Sequence, residues 1–187
     1  MITKGFDFGG VELVGVLNAD NLLNNPDFRS AERAFQLLMQ VAGRAGRHGD
    51  QGRVVIQTRL PEDPLFGALE KQDYRGFAES LVEERKENWC VPFVHQALVT
   101  AQAKTLAEAL YFLNACAKSG FSMAPEDVRV FDPVPMPLVR LMDVERAQLL
   151  VEADGRASLN RFLWQWQATF NAPSGIDWTI EVDPASI

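Results

Sequence analysis

The residues best suited to chemistry in this chain stand in one short run, Gln40-Val41-Ala42-Gly43-Arg44-Ala45-Gly46-Arg47. Gln40, Arg44 and Arg47 fall at i, i+4 and i+7, so they project from one side of a helix end. Guanidinium groups stay charged at any working pH and fork onto phosphate oxygens. The two glycines allow close backbone approach and a sharp helix end. Such a cluster can reach a triphosphate held by a neighbouring domain and meet the charge that develops in phosphoryl transfer, the role of an arginine finger. The same residues also suit a solvated helix terminus with two surface arginines. Spacing alone leaves both readings open.

The elements around the run must position it. Val11 to Leu17 is an apolar stretch that predicts a strand buried on both faces of a parallel sheet. It ends in Asn18-Ala19-Asp20, polar groups at a strand's carboxyl end, where open α/β sheets place ligand sites. Asp27 suits a helix N-cap, and Ala31, Phe35, Leu38 and Ala42 share one helical face, so a helix from Phe28 leads into the clamp. Arg53 to Thr58 predicts the next strand, closed by Pro61 and Pro64. Tyr74 to Lys86 predicts a second helix, and Trp89 to Phe93 reads as a hinge.

Beyond Phe93 the rhythm changes. Val94–Ala101 alternates as a strand does, and Thr105–Lys118 is an alanine- and leucine-rich helix stopped by Gly120. A short strand, Val128–Phe131, runs into the stiff Asp132-Pro133-Val134-Pro135-Met136-Pro137 segment, which cannot be a central strand. Arg146–Ala153 is strand-like, Ala157–Phe170 helical, and Asp177–Val182 a last strand. The order βαββαβ predicts a split-βαβ, ferredoxin-like α+β domain. The expected division is 1–92 and 93–187.

Composition narrows the function classes. With 47% hydrophobic and 23% charged residues, the chain has the make-up of a globular protein rather than a disordered one. No stretch approaches the roughly 20 apolar residues of a membrane span. The N-terminus lacks the layout of a secretory signal. Cys90 and Cys116 stand far apart without histidines at ligand spacing, which predicts reduced thiols of a cytoplasmic protein and neither zinc site nor disulfide framework. A net charge of −7 argues against a general nucleic-acid-coating role. His48 and His95 are isolated and suggest no catalytic base.

The neighbours of the clamp carry a resemblance. Lys4-Gly5-Phe6-Asp7-Phe8, Asp27-Phe28-Arg29-Ser30-Ala31-Glu32-Arg33 and the Gln40–Arg47 run resemble motifs V and VI in the second RecA-like lobe of superfamily 2 helicases. Together with Leu13-Val14-Gly15-Val16-Leu17-Asn18-Ala19-Asp20 and Val54-Val55-Ile56-Gln57-Thr58 they are similar to the primosomal protein N′ family of bacterial replication-restart DNA helicases. Glu84-Arg85-Lys86, Pro92-Phe93, Asp132-Pro133-Val134-Pro135 and Trp178-Thr179-Ile180-Glu181-Val182-Asp183-Pro184 extend the likeness along the whole chain. Phe6 and Gly9 depart from the family's usual His and Pro, and Cys90-Val91 from its Tyr-Pro. The family's phosphate-cradling loop, its magnesium-holding acidic motif and its zinc-binding cysteines have no counterpart in these residues. They lie upstream in the family, so Met1 reads as an internal methionine of a longer helicase.

What the resemblance implies is specific. Arg44 and Arg47 act as arginine fingers, with Gln40 beside them, on ATP and Mg2+ bound by another lobe, and Asp7 approaches the nucleotide ribose. Asp7 also suits, as the lesser alternative, a loop carboxylate capping a backbone amide, and Asp20 is expected to pair with Arg29 or Arg33 inside the lobe. The family's C-terminal domain contacts branched and single-stranded DNA and the acidic tail of single-stranded-DNA-binding protein (SSB). Arg156 and Asn160 match the place of its tail-binding arginine and polar partner. Primosome and replicative helicase-loading proteins are the further partners implied. Trp164, Trp166 and Trp178 offer stacking platforms for bases, although in a Trp-Gln-Trp context at least one is expected in the core. The whole protein would hydrolyse ATP and translocate 3′ to 5′, while these residues alone hydrolyse nothing. The alternative is a stand-alone, non-enzymatic module that binds DNA or SSB. In either case the lobe strand Val11–Leu17 is expected to keep an unpaired edge and an uncovered apolar face, and the domain from about Phe93 to fold independently.

Overall fold

The structure, a computed structural model, describes residues 12–24, 27, 29–43, 45, 52–141 and 143–185. The chain is mixed α/β and divides into two compact units, one of the described residues up to Glu84 and one running from Arg85 to Ala185.

The first unit is built on a parallel pair, β1 (Leu13–Val16) and β2 (Arg53–Ile56), with Val14 opposite Val54 and Val16 opposite Ile56. A short α1 (Asp20–Leu23) follows β1 and leads to α2 (Ser30–Ala42). The apolar stripe of α2 buries Ala34, Phe35 and Leu38, and Phe35 stacks on Phe77 at 4.6 Å. Asp27 does not cap α2 in the expected way. Arg29 is the N-cap, and the Asp27 carboxylate instead accepts the Arg29 amide at 2.8 Å and pairs with Arg33 at 2.8 Å.

Two further expectations need correction. The Pro61–Pro64 region does more than close β2: Asp63 caps a new helix, α3 (Pro64–Lys71), by accepting from the Leu65 amide. Proline is well placed there, since the first helical position needs no donor. Nor is β1 buried on both faces. Val14 is 5% exposed, whereas Leu13 is 61% and Leu17 81% exposed. Among the described residues β1 pairs with β2 alone, and the core gathers where α2, α3 and α4 (Tyr74–Glu87) meet the sheet, so outward side chains stay uncovered.

In the second unit, β3 (His95–Ala103) is followed by α5 (Leu106–Met123), then β4 (Val128–Val130), β5 (Val134–Leu141), β6 (Val144–Ala153), α6 (Arg156–Gln167) and β7 (Asp177–Val182). The sheet runs β4-β6-β3-β7 with every pairing antiparallel, and β5 adds to β6 beside β4. Strict alternation sends Ala97, Val99, Ala101, Ala147, Leu149 and Val151 to one face, all essentially inaccessible, where α5 and α6 cover them. The proline-bearing β5 pairs with β6 on one side, with a register shift between Pro135 and Arg140, as missing donors require.

α5 outruns its expected stop. Gly120 does not end the helix; it lies inside it, and a Cβ built there would meet the Trp166 indole at 3.1 Å. The glycine is a packing residue that lets α6 seat its largest side chain against α5. At the other end Thr105 and Glu108 form a reciprocal capping box.

Candidate partner-binding site

Three of the expected nucleotide-site residues, Asp7, Arg44 and Arg47, lie outside the described residues. Gln40 sits in the last turn of α2 with its side chain exposed.

The polar end of β1 resolves into a clamp. The carboxylate of Asp20, a residue only 7% exposed, accepts the Thr58 hydroxyl at 2.6 Å and the Arg59 amide at 3.1 Å. The cation near Asp20 is thus Arg59, while Arg33 goes to Asp27 instead of the expected Asp20. The Thr58 hydrogen bond, helped by the Arg59 amide and its charge, outweighs desolvation and holds Asp20 below its ordinary value of 3.8. A carboxylate whose folded value is depressed stabilises above its unfolded value and loses that contribution as pH falls through the folded one. Acidification below about pH 4 should therefore lower the first unit's thermal midpoint, and Asp20→Asn should flatten the decline. Thermal melts of both proteins across pH 3–6 check this; parallel curves would contradict it.

In the second unit, Arg156 opens α6 and Asn160 lies one turn on, both exposed. Gly155 is the N-cap of α6 and has no side chain to occupy the first-turn amides. An arginine at this end gains nothing from the helix dipole, whose positive end it adds to. Arginine and amides together suit an anion. The counter-ion supplied by the chain is loose. Asp183, just beyond β7 with φ at +51°, sits 3.8 Å from the Arg156 guanidinium and 3.7 Å from His95 Nδ1. Both separations exceed hydrogen-bond length, and the Arg156 side chain is 68% exposed, so the pair contributes little to stability. Sequence reading missed Asp183 as the neighbour of Arg156. Its only local signal was an acidic residue closing the last strand.

The three tryptophans separate by environment. Trp166 is fully buried; Trp178 is half-buried and packs edge-on to Phe170 at 5.0 Å; Trp164 is 76% exposed. Cys90 and Cys116 are both free, and burial pushes the Cys116 thiol up to about 12, which leaves it protonated and inert. Among the described residues no helix is long and apolar enough to cross a membrane.

Comparison with known proteins places these features in a family. Residues 86–185 match the model described as the primosomal protein N C-terminal domain. The chain is 38% identical over 163 residues to a protein named replication restart protein PriA from Bacillus subtilis, an alignment covering 87% of this chain and 20% of that protein. It is 36% identical over its full length to the PriA of Haemophilus influenzae, covering 26% of that protein, and 35% identical to that of Synechocystis, covering 22%. The chain therefore spans about a fifth to a quarter of the length of these relatives. With the match covering more than half of its residues, including the sheet and α6, the chain belongs to the primosomal protein N C-terminal domain family.

Proposed function

We propose that this chain supplies the C-terminal portion of an ATP-dependent DNA helicase that restarts stalled replication forks. The observation that carries the proposal is that likeness to replication restart proteins extends through both units, at 36% identity over 188 aligned residues in one case. In this reading the first unit belongs to a RecA-like lobe, which its parallel β1–β2 pair and intervening helix support. Arg44 and Arg47 are the arginine fingers, with Gln40 and Asp7 beside the nucleotide. ATP, Mg2+ and the family's zinc would be held by residues other than these. The second unit is a ferredoxin-like domain, a reading supported by its antiparallel β4-β6-β3-β7 order. It engages branched and single-stranded DNA, and it takes the acidic SSB tail at Arg156 and Asn160. Primosome and helicase-loading proteins are the downstream partners.

The tail site has a direct test. Arg156→Ala should weaken binding of an SSB tail peptide about tenfold or more, as loss of a charged partner in a carboxylate site does. Fluorescence anisotropy with a labelled peptide measures it, with circular dichroism confirming an unchanged fold. Unaltered affinity would remove Arg156 from the site.

A further inference from the structure

The two edges of the second unit's sheet are built differently. On one side the sheet ends in β4, only three residues long, and in β5, which carries Pro135 and Pro137 and shifts register before Arg140. Short strands, prolines and bulges keep a sheet edge from accepting another chain. On the other side the sheet ends in β7, where none of these is present. Asp177–Val182 contains no proline, glycine or lysine, and it pairs with β3 in unbroken register from Gln102 to Ala97. Its Trp178, Thr179, Ile180 and Val182 are residue types that favour extended backbone.

The pairing fixes where the free main-chain groups point. The Asp183 amide donates to the Gln96 carbonyl at 2.8 Å, so the odd-numbered residues of β7 turn their main chain toward β3. Trp178, Ile180 and Val182 therefore turn their N–H and C=O groups outward, and among the described residues no strand takes them. Side chains alternate with the same regularity. Trp178 and Ile180 pack at the rim of the core, and Val182 beside them is 39% exposed. Asp177, Thr179, Glu181 and Asp183 stand on the opposite face and are exposed. Among the described residues neither Asp177 nor Glu181 forms an ion pair.

We infer that the outer edge of β7 accepts an extended polypeptide segment as a further antiparallel strand, one with basic residues at alternate positions and apolar residues between them. Main-chain groups supply the attachment, and alternate side chains choose the partner. Basic residues opposite Asp177, Glu181 and Asp183 form cross-strand pairs, while the apolar ones continue the row of Trp178, Ile180 and Val182. The acids also select against other occupants. In an antiparallel pair of β7 strands Asp177 would lie opposite Asp183, carboxylate row against carboxylate row, which disfavours a second copy. The same row repels the phosphates of a nucleic acid. Docking at this edge does not depend on the tail-binding reading of Arg156.

The test uses the full chain and the labelled, carboxyl-amidated peptide Lys-Val-Lys-Ile-Lys-Val-Lys, whose length matches positions 177–183. Fluorescence anisotropy should show saturable binding. Hydrogen exchange at the Trp178, Ile180 and Val182 amides should slow about tenfold or more at saturation. N-Methylation of the two valines and the isoleucine, whose amides would face β7, should abolish binding. N-Methylation of the second and third lysines, whose amides would face away, should leave it intact. Asp177→Lys combined with Glu181→Lys changes only exposed side chains. It should weaken the peptide about tenfold or more and let Glu-Val-Glu-Ile-Glu-Val-Glu bind in its place. If both methylated peptides bind as well as the parent, attraction is by charge alone and the inference is overturned. It falls equally if the parent peptide fails to bind, or binds without slowing exchange at those three amides.

Discussion

Trp166→Ala should lower the unfolding free energy of the second unit by about 3–5 kcal/mol, the usual cost of emptying a buried aromatic site. Every contact of this side chain is internal. Its indole Nε1 donates to the Cys116 carbonyl at 2.9 Å and to the Ser119 hydroxyl at 3.1 Å. The ring stacks on Phe162 at 5.2 Å and meets Phe170 edge-on at 4.7 Å, and Phe170 in turn touches Phe112 and Trp178. The face turned to α5 lies against Gly120, where an added Cβ would press on the indole at 3.1 Å. Removing the ring therefore unlinks α5 from α6 and opens the aromatic cluster that covers the sheet. Trp166→Phe keeps most of the apolar area but drops the donor, and should cost about 1–3 kcal/mol. Urea unfolding followed by hydrogen exchange of the β3 and β6 amides separates the two variants. Equal losses would mean that the hydrogen bonds, rather than the packed volume, dominate.

The second large effect concerns activity. Under the proposed function, in which Arg44 and Arg47 are the arginine fingers of a whole helicase, Arg44→Ala or Arg47→Ala should reduce its DNA-stimulated ATP turnover about a thousandfold, since such a finger acts on charge present only in the transition state. The loss should fall on kcat, with nucleotide affinity little changed, because the proposed function assigns the ground-state phosphate contacts to another lobe. Lysine should not rescue either position, as it lacks the planar fork. Steady-state kinetics on the two single variants and the double variant check this. A double variant no worse than either single one would show the arginines acting as one unit, whereas a rise in KM with unchanged kcat would make them binding residues.

The fold was legible where one physical signal dominated. β7 follows the alternation of Asp177–Val182, and α4 follows its helical period from Tyr74. Misreadings came where one residue type serves two purposes. Gly120 reads as a helix stop, yet it is a cleft for an indole 46 positions later, and nothing local says so. Pro64 reads as a terminator, although Asp63 before it makes a helix start of the same residue. The apolar β1 reads as doubly buried, while its actual exposure depends on how many neighbours its sheet has. The site divides similarly. That Arg156 and Asn160 stand one turn apart near a helix start was legible from their spacing, while their binding role came only from the resemblance. Which of Trp164 and Trp166 faces the core was not legible, because two residues two apart on a helix point in different directions and only the sheet's position decides between them. Asp183 reaches Arg156 across 27 residues of chain, a proximity that the antiparallel pairing of β7 with β3 creates and that no local pattern encodes.

The proposed function gives these residues the fingers and the docking surface of a helicase and assigns the grip on its nucleotide to another lobe. The purified 187-residue chain, given ATP, Mg2+ and forked DNA, tests it most directly. Phosphate release should stay at background in the wild-type chain and in Arg44→Ala alike. Turnover that co-purifies with the chain and disappears in Arg44→Ala would contradict the account.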